Sequence, residues 1–394
     1  MDPKPLSQCF NILQNPADVG GCSHYRMRFP EWALQTIRKD IRFVSSMKLI
    51  CYPDFFRDIR VVRMQRQVSN AQADYFLKFL WPLSNSLGFW IVYEIDDVIG
   101  YEDIPKYNHA KEAFGNEKFF SNVQNMLNCA DLITVTTEEL KNYYHIKYGV
   151  AHEKIIVIPN YLPRWWVGEA YQPDRISQLY QENIKKPRIL LPLSSSHYDL
   201  KNANDGVDDL TGIVDFIRAT HRKYQWCFVG HFPKQIQDLV KAKEVEVWPG
   251  SDLLNYPREL YMKKPNVILA PLQDNTFNRC KSNIKLIESW SLGIPAIVQD
   301  LAPYSKYTDS TFTDNNSLQN KLDDLFKDKK RYMKTVKRNR HIVDFGDNNA
   351  KAGWWLEKNL WHWNRLFTIN QKTLRLDLRK KIKDEPEKGL TLDL

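Results

Sequence analysis

The sequence has no pattern of paired cysteines. Its six cysteines are scattered over 394 residues without a Cys-x-x-Cys pair, so neither a disulfide framework nor a zinc site is indicated. No apolar run approaches the roughly 20 residues that a membrane-spanning helix needs. The first eight residues are polar and hold two prolines, which is not the pattern of a secretory signal. We therefore expect a soluble protein of the reducing cytoplasm.

A Gly-x-Gly-x-x-Gly fingerprint is also missing, which argues against NAD chemistry. Positive charge and tryptophan, in contrast, are abundant. Lys and Arg outnumber Asp and Glu by 56 to 47, for a net charge of +9, and there are 12 Trp. Most of the Trp side chains are expected to pack in the core. The charge favours a polyanionic partner such as nucleic acid or an anionic membrane surface, although it is compatible with a nucleotide as the largest ligand.

The chain is too long for one compact core, so two domains are expected. Apolar, β-branched runs alternate with helical patterns, which is typical of parallel α/β sheets. We predict two doubly wound, Rossmann-like domains that face a cleft. Their strands are predicted at Phe10–Leu13, Phe43–Ile50, Ile59–Met64, Gly88–Tyr93, Leu132–Val135 and Lys154–Ile158, then at Arg188–Pro192, Trp226–Val229, Val245–Trp248, Val267–Ala270 and Ala296–Val298.

The predicted domain limits follow from a proline-marked break near residues 165–186. Residues 1–170 form the first domain and 171–347 the second. A Trp-rich helix within 348–370 is predicted to cross back and complete the first domain. Residues 371–394 are a charged, patternless tail.

A glycine loop follows the first predicted strand. Gly20 and Gly21 would let backbone amides approach a ligand closely, and the next helix offers its positive end to phosphate. Arg26 adds a charge-assisted donor, and His24 in the same turn is a candidate catalytic residue. The alternative is an ordinary glycine turn that enters a helix.

Two turns follow strands of the second half. Ser195, Ser196 and His197 come after the strand Arg188–Pro192, and Gly230 and His231 follow Trp226–Val229. Such turns lie at the carboxyl edge of a doubly wound sheet, where these folds bind ligands. Taken alone, a serine run is more often a helix cap than a site.

The strongest motif lies between Asn278 and Glu288. Lys281, Lys285 and Glu288 are four and three residues apart, so on one helix they would share a face. Two ammonium groups can hold a diphosphate, and one carboxylate can accept both hydroxyls of a ribose. A charged surface helix is the alternative, but the position after the strand Val267–Ala270 favours a site.

These residues carry a family resemblance. A Lys/Ser-x-x-Lys-x-x-Glu helix followed by Gly293-Ile294-Pro295 resembles the nucleotide-sugar signature of retaining glycosyltransferases with the GT-B fold. The resemblance runs in order over residues 10–367 and includes Pro159-Asn160 at the domain exit. It implies a UDP-sugar donor held on the second half, no metal, and retention of anomeric configuration. It also assigns Glu288 to the ribose and Lys281 or Lys285 to the diphosphate, with Ser282 beside them.

One position departs from the family pattern. A second Glu usually stands eight residues before the ribose-binding one and contacts the donor sugar, but here that residue is Cys280. Either Asn278 or a neighbour takes this role, or the donor sugar is unusual, for example a pentose.

An acidic cluster closes the strand Gly88–Tyr93. Glu94, Asp96 and Asp97 could orient or deprotonate an acceptor hydroxyl. They could also bind a divalent metal or cap the next helix, so a catalytic role is one of three alternatives.

A basic helix is predicted near the end of the second half. Lys327, Arg331, Lys334 and Arg338 follow one helical face, which is either solvated or a footprint for a phosphate backbone. Together with Gly-Gly-x-x-x-Tyr-Arg and Glu-Ile-Asp-Asp, the chain resembles phage-encoded glycosyltransferases. Some of these add glucose or arabinose to hydroxymethylcytosine in phage DNA, which implies a double-stranded DNA acceptor in the cytoplasm of an infected host. The alternatives are a lipid, polysaccharide or protein acceptor, or a non-enzymatic, basic nucleic-acid-binding protein.

Overall fold

The computed structural model describes residues 9–114, 117–168, 171–200, 207–347 and 353–368. Two six-stranded sheets form its framework, and all neighbouring strands in both are parallel. The first sheet contains β1 (Phe10–Asn15), β2 (Ile41–Ser45), β3 (Ile59–Gln65), β4 (Trp90–Glu94), β5 (Leu132–Val135) and β6 (Ile155–Val157). The second contains β7 (Arg188–Leu191), β8 (Gln225–Val229), β9 (Glu246–Trp248), β10 (Val267–Ala270), β11 (Ala296–Gln299) and β12 (Thr311–Phe312).

Both sheets are doubly wound. The strand order is β2-β1-β3-β4-β5-β6 in the first and β12-β11-β10-β7-β8-β9 in the second. The direction of winding reverses between β1 and β3 and between β7 and β10, and such switch points create a crevice at the carboxyl ends of the strands. The predicted fold class, two Rossmann-like α/β halves, is confirmed.

Helices connect the strands and cover both faces of the sheets. Around the first sheet they are α1 (Gly21–Ser23), α2 (Phe29–Ile37), α3 (Asn70–Asp74), α4 (Trp81–Leu87), α5 (Ala110–Ala113), α6 (Glu117–Cys129) and α7 (Glu138–Tyr148). The remaining helices are α8 (Arg164–Val167), α9 (Pro173–Asn183), α10 (Ile213–Thr220), α11 (Gln237–Lys241), α12 (Tyr256–Met262), α13 (Thr276–Arg279), α14 (Ile284–Ser291), α15 (Asn315–Phe326), α16 (Lys329–Phe345) and α17 (Leu356–Thr368). π-helical turns at His24–Arg28 and Tyr75–Leu80 join α1 to α2 and α3 to α4.

The burial of the strands on both faces of the sheets explains why they appear in the sequence as short apolar runs. All five residues of β4 and all four of β10 are buried, because helices cover both faces of a parallel sheet. Gly293 shows how closely a helix can approach. It has a φ of +75°, and a Cβ there would lie 2.3 Å from the side chain of Ile176 in α9. The Gly-Ile-Pro motif therefore ends α14 and admits α9 beside it.

The last helix, α17, returns to the first sheet as predicted. The ring of Phe367 lies 6.2 Å from that of Phe10 in β1, and Trp363 is 1% exposed. The backbone of Leu162, after β6, accepts from the N–H of Leu356 at 2.8 Å. Of the predicted helical range 348–370, residues 348–352 and 369–370 lie outside the described residues, as does the charged tail 371–394. The domain limits stay a prediction.

The structure corrects one feature of the strongest motif. Lys281 was expected on the same helix as Lys285 and Glu288, but α14 begins only at Ile284. The side chain of Asn275 accepts from the N–H of Asn278 and starts a separate short helix, α13. The chain then turns before α14, so Lys281 lies in the turn and only Lys285 and Glu288 share a helical face.

Other boundaries also differ from the prediction. Strand β2 covers Ile41–Ser45 instead of Phe43–Ile50, and β12 is absent from the predicted strands. The proline-marked break predicted near residues 165–186 contains most of α8 and all of α9.

Candidate active site

The first part of the candidate site is the start of α14, beside the switch point of the second sheet. The Lys285 ammonium lies 3.4 Å from Oε2 of Glu288, one helical turn on, and 3.2 Å from the hydroxyl of Tyr256. Burial opposes the charge of Lys285, but the Glu288 carboxylate and Tyr256 outweigh it and raise the pKa of this lysine. Lys285 therefore stays a cation at any physiological pH.

Tyr25 links this helix to the first half of the chain. Tyr25 follows the glycine loop, and its hydroxyl donates a buried hydrogen bond to Oε1 of Glu288. Burial and the nearby Glu288 charge raise the pKa of Tyr25, so the phenol is the donor. Both oxygens of the carboxylate expected to bind a ribose are thus engaged within the protein, one by Tyr25 and one by Lys285.

Lys281 lies in the turn before α14, between charges from both halves. Burial lowers the pKa of its ammonium, while the carboxylates of Asp209 and Asp97 act in the opposite direction. The ammonium sits 5.1 Å from the ring centroid of Phe277. A half-buried cation whose protonated form is disfavoured gains from an added anion, so this position suits a diphosphate.

The serine turn after β7 is organised by Asp209. His197, in that turn, has Nδ1 2.6 Å from Oδ2 of Asp209, whose side chain is 0% exposed. Ser195 lies 3.4 Å from Nδ1 of His109 in the first half, and Ser196 contacts Ser194. The turn contains a short 3₁₀ segment, so the serines do not cap an α-helix.

Asn278 belongs to the same cluster. Its amide donates to Oδ1 of Asp209 at 2.7 Å and to the carbonyl of Gln273 at 2.9 Å, and it lies 3.1 Å from the hydroxyl of Tyr107. Asn278 is 0% exposed. The side chain of Cys280, two residues on, packs in the apolar core of the first half.

The acidic loop after β4 provides the opposite wall. Burial and then the Asp96 charge raise the pKa of Asp97 to about 6, against the lowering effect of Lys281 and Arg66. One oxygen of Asp97 has no hydrogen-bond partner within the described part of the chain. Asp96 lies 3.2 Å from Nε of Arg66, which also bonds Asp18 of the glycine loop at 2.7 Å. Asp97 is therefore the carboxylate of this cluster best placed for proton transfer.

Glu94 and Arg26 have a different environment from the one expected. Nε of Arg26 lies 2.6 Å from Oε1 of Glu94, and both side chains are 0% exposed. The other carboxylate oxygen accepts from Thr134 and lies 3.6 Å from Arg63. Such full occupancy is typical of a buried structural ion pair. Packing is therefore a better account of Glu94 than catalysis, and of Arg26 than phosphate binding.

The glycine loop is held by Asp18. Its Oδ1 accepts from the N–H of Gly20 at 2.8 Å, and Nδ1 of His24 lies 2.7 Å from the Gly20 carbonyl. His24 is 6% exposed and packs against Phe29. A Cβ at Gly20 or Gly21 would meet protein atoms only at 3.5 Å or more. Because the two glycines have no side chains, the space beside the loop stays open to a ligand.

Two further predicted positions lie at the same edges. Gly230, directly after β8, has a φ of +85° that favours glycine, and both Gly230 and His231 are exposed. Ser282 accepts a hydrogen bond from Nδ2 of Asn160 at 3.0 Å, which ties the turn before α14 to the exit of the first half.

The predicted basic helix is α16, with Lys327 just before its start. Lys327, Arg331 and Lys334 are exposed. Arg331 pairs with Asp324 and Arg338 with Asp309, both on the surface. The two lysines are therefore stronger candidates for phosphate contacts than the two arginines.

Neither a metal-binding cluster nor a membrane-spanning helix is found among the described residues. They contain no group of three or more His, Cys, Asp or Glu side chains placed to hold a metal ion. No helix in the described ranges is long and apolar enough to cross a membrane.

Comparison with solved structures identifies the architecture. A glycosyltransferase from Rickettsia africae is 13% identical, with a TM-score of 0.56 over 96% of this chain and 100% of that one. Anabaena HepE, solved with UDP and glucose, is 11% identical, with a TM-score of 0.55 over the same shares. The chain has the GT-B fold. No family model and no curated protein matches the sequence.

Within the GT-B fold, the cluster contains residues that the sequence analysis did not single out. Asp209, Tyr107 and Tyr25 contact residues of the site that lie 12 to 263 positions away along the chain. The adjacent pair Asp208-Asp209 is the only local signal for one of them. Tyr25 lies in the Gly-Gly-x-x-x-Tyr-Arg pattern but was given no role there, and Tyr107 carries no local signal. The role of each tyrosine depends on which loop of the other half lies opposite.

Proposed function

We propose that this protein is a glycosyltransferase that uses a nucleotide-diphosphate sugar, with UDP as the nucleotide. The observation that carries the proposal is the arrangement of Lys281, Lys285, Glu288 and His197. They meet at the switch point of the second sheet, opposite Asp97 of the first. GT-B neighbours include HepE, solved with UDP-glucose. A ribose on Glu288 and a diphosphate between the two lysines fit this cluster.

The chemistry follows from these charges. When the bond between the sugar C1 and the diphosphate oxygen breaks, negative charge develops on the diphosphate. Lys281 and Lys285, fixed in a poorly hydrated cluster, stabilise that charge without reorganisation. Asp97 would accept the proton of the acceptor hydroxyl that bonds to C1, because its pKa of about 6 leaves it ionised at neutral pH. Retention of configuration is proposed from the family resemblance alone.

For the acceptor we propose the hydroxymethyl group of hydroxymethylcytosine in phage DNA, with arabinose or glucose as the sugar. The support is the family resemblance, the net charge of +9 and the exposed Lys327 and Lys334 before and on α16. A duplex would present this group either in the major groove or on a flipped base. A lipid, polysaccharide or protein acceptor is the alternative, and the same donor site would serve it.

A transfer assay tests donor and acceptor separately. The protein is incubated with DNA that contains hydroxymethylcytosine and with UDP-glucose or UDP-arabinose, and the digested nucleosides are weighed by mass spectrometry. A gain of one hexose or pentose on the modified base supports both parts. Release of UDP without modified DNA retains the enzyme class and refutes the DNA acceptor. No reaction and no UDP binding would favour the non-enzymatic nucleic-acid-binding protein.

Substitutions in the proposed donor site test whether the activity depends on it. Lys285→Ala and Glu288→Ala are expected to abolish transfer, since one removes the cation and the other the ribose acceptor. Lys334→Ala is the matched control for the donor site, because Lys334 is exposed on α16. It is expected to leave UDP binding unchanged and to weaken only the use of DNA, most strongly at low salt, where the release of counterions favours each phosphate contact most.

A further inference from the structure

Asp209 is the most heavily bonded carboxylate of the cluster. Its Oδ2 lies 2.6 Å from Nδ1 of His197. Its Oδ1 accepts from the hydroxyl of Tyr107 at 2.6 Å, the amide of Asn278 at 2.7 Å and the backbone N–H of Gln273 at 2.8 Å. Hydrogen bonds to an ionised carboxylate favour the ionised form. The group is thus a fixed negative charge that ties four segments together.

This carboxylate determines the orientation of His197. An ionised Asp209 can only accept, so Nδ1 of the imidazole must carry the hydrogen and Nε2 is left for another partner. The imidazole lies near enough to Lys281 and Lys285 for both charges to disfavour its protonation. It therefore belongs to the same cation cluster that the proposed function assigns to the diphosphate.

We propose that Asp209 is a positioning residue that presents Nε2 of His197 to the diphosphate of the donor, where the imidazole becomes protonated and donates a hydrogen bond to the leaving group. This inference rests on the proposed function and adds a group to it. The C1–oxygen bond breaks with its electron pair on the diphosphate, and the imidazolium shares its Nε2 proton with that oxygen. No further reactant is needed.

The charges around His197 give the sign of its pH dependence. Burial and then Lys281 lower its pKa to about 4 in the empty site, with Lys285 acting the same way and Asp209 opposing them. A bound diphosphate neutralises the lysines, so the pKa of His197 rises. The complex then holds a proton that the free protein lacks, and binding must strengthen as the pH falls. Tyr107 and Tyr304, which also face Asp209, stay neutral throughout this range.

The test is the affinity for UDP, measured by calorimetry from pH 6 to pH 9. UDP itself gains a proton near pH 6, so each variant is compared with wild type at the same pH. The ratio of the wild-type affinity to that of His197→Gln is expected to grow about tenfold from pH 8 to pH 6. This lies within the linkage limit, because the uptake of one proton changes an affinity by at most about tenfold per pH unit. Asp209→Asn is expected to lose the same pH dependence while it still binds at pH 8.5.

His221→Gln is the matched control. His221 also pairs with a carboxylate, Glu244, at 3.0 Å, but it precedes β8 and so lies at the opposite edge of the same sheet. Its variant should follow the wild-type curve. If the ratio of wild-type to His197→Gln affinity stays constant with pH, the inference is overturned, even if the variant binds UDP more weakly at every pH. If Asp209→Asn does not fold, His197→Gln decides alone. If wild type binds no UDP at any pH, the proposed function fails instead.

Discussion

Replacing Asp97 by Asn is expected to stabilise the protein at alkaline pH and to impair sugar transfer. The pKa of Asp97 is raised from 3.8 to about 6 by burial and Asp96. Between these values the folded chain holds a proton that the unfolded chain has released, so stability falls as the pH rises through that window. A shift of about two units corresponds to about 3 kcal/mol above pH 7, and to roughly half of that at pH 5.

Urea denaturation of Asp97→Asn and wild type at pH 5 and pH 8 measures this difference. The variant should be more stable by up to about 3 kcal/mol at pH 8, with a smaller gain at pH 5. Asp96→Asn is the matched control, and it should lower the free energy of unfolding, because it removes a partner of Arg66. A variant of Asp97 that is no more stable than wild type at pH 8 would refute the reasoning. Full transfer activity would refute its role as the proton acceptor.

Three further substitutions test individual contacts. Tyr25→Phe frees one oxygen of Glu288 and is expected to tighten UDP binding by up to about tenfold, whereas weaker binding in a titration would show that the phenol supports the site. Glu94→Gln removes the negative charge that pairs with two buried arginines, and urea denaturation should show an unfolding free energy lower by about 3–5 kcal/mol. Unchanged stability together with a loss of kcat would instead support a catalytic role for Glu94. Gly293→Ala places a Cβ against Ile176 and should cost about 1–3 kcal/mol, and a variant as stable as wild type would contradict that packing.

The strands of both sheets were largely predictable from local pattern. Leu132–Val135 and Val267–Ala270 agree with the predicted limits to the residue, because a strand buried on both faces is a short apolar run between polar turns. Phe43–Ile50 was misplaced, since β2 is an edge strand and only one of its five residues is buried. Burial on one side leaves a weaker pattern.

The positions of site residues were predictable only in part. Turns after strands were placed correctly at the carboxyl edges, since topology alone determines that edge. The environment of each side chain was not. Glu94 and Arg26 are 68 positions apart and pair in the core, and no local spacing distinguishes such a pair from a catalytic carboxylate and a phosphate-binding arginine.

The central claim is that α14 and the turn before it bind a nucleotide diphosphate. Titration of the purified protein with UDP at pH 7.5, followed by calorimetry, tests it most directly, with Lys285→Ala, Glu288→Ala and the exposed control Lys334→Ala measured beside wild type. We predict one UDP per chain for wild type and Lys334→Ala, and binding weakened at least a hundredfold, about 3 kcal/mol, in the other two. Equal affinity in all four proteins, or no binding by wild type, would contradict the account.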